Sequence, residues 1–171
     1  MDRARFYELI DGAREGVEDT APSADADALG TALEALDDED LQGFVAAFDA
    51  ELARLNRWSV REAGFVASGG MNPVDFRWFR AWLVGKGLAA VETALTAPDD
   101  LADLLGEDEA PRNERLEYVA LETVDERGLP DPRTDADAEP SDADPDGEPF
   151  DPDTADERLP RLAEARRRLV G

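Results

Sequence analysis

The run from Gly69 to Gly87 constrains this chain more than any other part of it. A Gly-Gly pair precedes Asn72-Pro73, and Phe76, Trp78, Phe79 and Trp82 follow within ten residues. Asparagine at the N-cap with proline at the first helical position starts a helix, and Asp75 falls in the first turn, where a negative charge is favoured. At 100° per residue Phe76, Phe79 and Leu83 share one face, Trp82 lies beside it and Trp78 points nearly the other way. A helix apolar over so much of its circumference is buried. The spacing therefore predicts a central core helix that stops near Gly85 or Gly87.

The same 3.6-residue period recurs on both sides. Phe6, Leu9, Ile10 and Ala13 form one face after an Asp2 cap, and Leu29, Leu33 and Leu36 follow Ser23 or Asp25. Leu41, Phe44, Val45, Phe48, Leu52 and Leu55 give a long third stripe behind the acids Asp37 to Asp40. Ser59 and Glu62 stand at capping-box spacing before Val60, Ala63 and Val66. Beyond the aromatic helix, further helices are expected around Leu88–Leu95, from Pro98 through Leu105, and from Pro111 through Thr123. No alternating β-branched run reads as a strand. The expected fold class is all-α: a compact multi-helix domain around an aromatic-rich helix, then an acidic disordered tail and a short C-terminal helix.

Three parts are expected. Residues 1–128 hold the helical core, folding cooperatively without the rest. Residues 129–157 carry 12 acids against one arginine, with Phe150 as the only aromatic, a composition too poor in apolar surface to offset chain entropy. Residues 158–171 form a basic helix with Arg166, Arg167 and Arg168, expected to fold back on the acidic domain.

Composition excludes several chemistries. With no cysteine and no histidine, thiolate catalysis, the commonest general base and the usual nitrogen–sulfur zinc site are all absent. The formal net charge of -24 disfavours binding to a phosphate backbone. Lys86 is the only lysine, a bias that fits a GC-rich genome or a halophilic host. Without a signal-peptide pattern or an apolar run long enough to span a bilayer, the expected location is cytoplasmic, away from membranes.

Several of these segments together resemble the bacterial family of domain of unknown function 4240. They are Phe6 with Leu9-Ile10-Asp11, Trp58 with Ala63-Gly64-Phe65-Val66, and Gly69-Gly70. Phe76-Arg77-Trp78-Phe79-Arg80-Ala81-Trp82-Leu83 with Gly85-Lys86-Gly87, Ala97-Pro98-Asp99-Asp100-Leu101 and Glu117-Tyr118-Val119-Ala120 complete the set. The resemblance spans about residues 3–125 and implies a compact helical domain. Family members often carry acids where this chain has Pro73-Val74, so only Asp75 remains nearby. The resemblance supplies no catalytic residues.

Arg77 and Arg80 are neighbours on the aromatic helix, and neither has an acid three or four positions away. Each needs a partner from elsewhere in the fold, with Asp49 and Glu62 as candidates, or an anion held with Asp75 and the amides after Gly70. Arg77, Arg80, Asp75 and Gly70 are thus the candidate ligand-binding residues. The acid clusters at Asp37–Asp40, Asp99–Asp100 and Glu107–Glu109 lack EF-hand spacing, as do the alternating Asp142, Asp144 and Asp146. No catalytic residue, metal ligand or cofactor is assigned. The expected function is a non-catalytic helical interaction or regulatory module with an unidentified protein partner and no direct nucleic-acid binding. The alternatives are a small-anion-binding protein or hydrolase using Arg77, Arg80 and Asp75, and an acidic nucleic-acid mimic.

Overall fold

A computed structural model describes residues 1–14, 23–107, 110–134 and 144–170. The architecture is all-α. The α-helices are α1 (Arg3–Gly12), α2 (Ala26–Glu34), α3 (Asp38–Arg54), α4 (Trp58–Ser68), α5 (Pro73–Gly85), α6 (Leu88–Thr96), α7 (Glu114–Glu126), α8 (Ala155–Arg158) and α9 (Pro160–Val170). Two 3-10 segments, Pro98–Leu104 and Pro132–Thr134, join them.

Helix α5 starts as its sequence requires. Asn72 accepts a hydrogen bond from the Asp75 amide at 2.9 Å, and Pro73 takes the first turn. Phe76, Phe79, Trp82 and Leu83 are all buried, with Phe79 and Trp82 stacked at 5.7 Å between ring centroids. Around them α1, α3, α6 and α7 close the core, where Phe6, Phe44 and Phe48 form a second aromatic cluster. Asp2, Asp25, Asp37 and Asn113 cap α1, α2, α3 and α7 by accepting amide hydrogen bonds.

Three local expectations are corrected. The Ser59–Glu62 capping box does not form, because α4 begins two residues early at Trp58, with Arg57 at its N-cap and no side-chain cap. The segment after Pro98 winds as a 3-10 helix. Helix α7 starts at Glu114 behind Asn113, since Asn113 caps the Leu116 amide while its own amide group ties to Ser23 and Ala24.

The C-terminal region departs most from expectation. Residues 144–157, part of the stretch expected to be disordered, are mostly exposed and are anchored at Asp146, Phe150 and the buried Ala155; 135–143 lie outside the described residues. Asp146 pairs through its main chain with the α3–α4 junction: its amide donates to Asn56 O and its carbonyl accepts from the Trp58 amide, both at 2.9 Å. Phe150 packs at 5.4 Å from the Phe65 ring and 6.2 Å from that of Trp58. Helix α9 folds back on the acidic domain as expected. It lies across α4 and the 3-10 segment Pro98–Leu104, burying Leu159, Leu162, Ala163 and Ala165 on the way. Arg161 pairs with Asp100 and Asp103, and Arg166 donates to Val66 O at 2.8 Å. The core thus extends past residue 128.

Gly69 and Gly85 show the two demands that glycine meets here, left-handed backbone and close approach. Gly69 ends α4 at φ 73, where a β-carbon is strained. At Gly85 the α5 backbone approaches the α2 entry so closely that a β-carbon would lie 2.1 Å from Ser23 Oγ and 2.8 Å from a Leu116 methyl. Gly85→Ala should therefore destabilise the fold by roughly 1–3 kcal/mol through overpacking, read as a lower urea midpoint at unchanged slope.

Candidate functional site

Helix periodicity separates the four candidate residues. Asp75 and Arg77 are two positions apart, about 200° around the helix, and so open onto different surfaces. Gly70 and Asp75 line a groove of about 560 Å³ with Met71, Arg112 and Arg166. Arg77 and Arg80 line another of about 400 Å³, walled by α4, α5, α7 and the segment at Asp144-Pro145. Among the described residues these two grooves do not bring all four together.

Both arginines are engaged. Arg77 Nε donates to Glu117 Oε2 at 2.9 Å, its terminal nitrogen pairs with Glu117 Oε1, and Asp49 lies 4.0 Å away. The carboxylate across α7 is thus the main partner, with the expected Asp49 at the edge. Arg133 reaches the same Glu117 at 3.5 Å and grips Asp131 at 2.7 Å. The Arg133 hydrogen bond, more than any other cause, holds the Asp131 carboxyl below its ordinary value. Arg80 is buried, donates to Leu52 O at 2.9 Å, and lies over the Phe76 ring at 4.7 Å. A cation held against an aromatic face and a main-chain carbonyl is a structural tie between α5 and α3.

Glu62, the other expected partner, faces α8. It is 4% exposed, its Oε1 makes no hydrogen bond among the described residues, and Arg158 Nε stands 3.3 Å away. Burial pushes its carboxyl up from the ordinary glutamate value, partly offset by Arg158. The native state then holds this proton more tightly than the unfolded chain. The cost of ionised Glu62 is fully present above the raised folded value and disappears as pH falls below the unfolded one. Relative to Glu62→Gln, the wild-type chain should gain stability between neutral pH and about pH 4, measured as the difference in Tm at each pH. A difference that stays constant with pH contradicts this reading of Glu62.

A second polar cluster is closed. Glu51 is buried and accepts from Arg3 at 2.8 and 3.0 Å, from the Tyr7 hydroxyl at 2.8 Å and from Arg54 at 3.1 Å. Glu92 joins from α6 through Arg3 and Arg54. Burial, then the Glu51 charge, raises the Tyr7 hydroxyl far above its ordinary range. A phenol that holds its proton this tightly is no base at neutral pH, so the cluster pins α1 to α3 and α6.

The 400 Å³ groove has a feature that the charge pattern did not single out. Arg61 projects from α4 with its guanidinium 5.1 Å from the Trp58 ring centroid and 5.9 Å from that of Phe76. The residue is partly buried, and its guanidinium makes no ion pair or hydrogen bond among the described residues. Trp78 and the 44% exposed Tyr118 line the same groove. The one signal in the sequence is its place one turn after Trp58. Among the described residues no group of three or more acids is placed to hold a metal ion, and no helix is long and apolar enough to cross a membrane.

These features define a helical domain whose buried carboxylates Glu51 and Glu117 are held by arginines and whose groove between α4, α5 and α7 presents Arg61 beside aromatic rings. The chain belongs to the family described as protein of unknown function, DUF4240, whose sequence model matches residues 1–126. No curated protein and no solved structure matches it. The match ends at the close of α7, so the arm formed by residues 144–170 packs on the family domain from beyond the matched region.

Proposed function

We propose that this chain is a non-catalytic, cytoplasmic interaction module whose working surface is the groove between α4, α5 and α7. Arg61 carries this reading. In a chain with 42 acids and 18 basic residues, a partly buried guanidinium that rests on two aromatic rings, with no carboxylate paired to it among the described residues, is a recognition feature. Interaction surfaces favour arginine, tryptophan and tyrosine, and this groove presents all three. The interior offers catalysis little: Glu51 is saturated, Tyr7 is locked in its protonated form, and Arg77 and Arg80 are committed to packing.

The reading is tested by quantitative cross-linking in the native host, comparing wild type with Arg61→Glu and Trp78→Ala. A partner captured by wild type should be lost from both variants while their melting curves stay cooperative. Equal capture by all three chains places the working surface elsewhere.

A further inference from the structure

We infer that the Arg61 groove takes an extended, aspartate-rich peptide segment of a partner protein, a deepening that rests on the interaction reading above. Three observations converge on this ligand class. Arg61, Arg77 and Arg80 line one groove; Arg77 is held by Glu117 and Arg80 by Leu52 O, whereas the Arg61 guanidinium rests on the Trp58 and Phe76 rings and makes no ion pair among the described residues. One wall of the groove is Asp144-Pro145, which leads into the Asp146 main-chain pairing at Asn56 and Trp58. An Asp-Pro segment therefore already lies along this surface, and the peptide lies beside it. Finally, the whole groove, with Trp78 and Tyr118 in its lining, is about 400 Å³, room for a few small residues and no folded element.

Charge selects a short peptide over a nucleic acid. A single strand has the stacking partners it needs in Trp78 and Tyr118. It also brings one phosphate per nucleotide past a domain of net charge -24, whereas a short peptide offers a few carboxylates to Arg61. Near physiological ionic strength, exposed acids more than about 8 Å away are largely screened, and the local cation decides.

The test is a titration of the full chain at about 0.15 M salt, followed by tryptophan fluorescence. The probes are a blocked octapeptide of alternating Asp and Ala, the same peptide with Asn for Asp, and an oligothymidylate of eight nucleotides. The Asp peptide should bind saturably and weaken as salt rises, and the Asn peptide should bind at least about tenfold more weakly. Arg61→Ala should remove the preference for Asp, and Arg61→Lys, which keeps the charge, should restore part of it. Should Arg61→Ala lower the melting temperature, Tyr118→Ala, on the exposed wall, must weaken the Asp peptide instead. Equal binding of Asp and Asn peptides, tighter binding of the oligothymidylate, or indifference to both substitutions overturns the inference. A partner that cross-links through Arg61 while the Asp peptide fails to bind leaves the interaction reading standing and removes only the acidic-peptide ligand.

Discussion

A chain ending at Thr134 should melt at least about 10 °C below the full chain, or lose its cooperative transition. Removing 135–171 strips Leu159, Leu162, Ala163 and Ala165 from the core, together with the Phe150 contact to Trp58 and Phe65. Two buried leucines alone contribute about 1.5–3 kcal/mol each, and the apolar surfaces of α4 and the 3-10 segment Pro98–Leu104 become wet as well. The total is about 5 kcal/mol or more, a large share of the roughly 5–15 kcal/mol that holds a domain folded. At this size each kcal/mol moves the melting temperature by about 2–4 °C. The lost ion pairs of Arg161 with Asp100 and Asp103 add little, because all three groups are exposed. Differential scanning calorimetry decides the matter. A truncated chain melting within about 2 °C of the full one means that the arm merely rests on a finished domain.

The second large effect separates two tryptophans on one helix. Trp82 is 1% exposed, stacked on Phe79 with Lys86 at its ring face. Its truncation to alanine leaves a cavity that the surrounding helices cannot close, at a cost of about 3–5 kcal/mol. Trp78, four residues earlier, lies partly exposed in the groove wall, so Trp78→Ala should cost about 1 kcal/mol or less while weakening partner capture. Urea unfolding of both variants reads the contrast. Similar losses for the two would mean that both rings serve the same purpose.

The aromatic helix was legible because its signals agree: the Asn72-Pro73 start, the Asp75 charge and the 3.6-residue spacing all point to one buried element. The Arg77 and Arg80 environment was half legible. Their need for partners follows from position on the helix, but a partner on α7 depends on tertiary packing that local spacing does not carry. The division of Asp75 from Arg77 was available from the 200° between them. Glu62 misled because capping-box spacing also arises where an acid is placed to meet another helix, here α8 through Arg158. The arm misled for a different reason. Averaged over 129–157 the composition is that of a solvated chain, yet Phe150 and the Asp146 main chain suffice to seat it, and main-chain pairing leaves no mark on residue type. Arg61 escaped notice because an arginine on a helix usually reads as part of a solvated face, and only its rings, brought together from α4 and α5, make it distinctive.

The central claim is that α5 turns its aromatic face inward for packing and keeps Trp78 for the groove. Hydrogen exchange at the indole N–H groups, followed by NMR, tests it most directly. The Trp82 indole nitrogen is buried and without a hydrogen-bond partner among the described residues, so its proton should exchange only as fast as the whole domain unfolds, while that of Trp78 exchanges through the native state. A Trp82 proton that exchanges as quickly as that of Trp78 would place the ring in an open cleft and contradict the account.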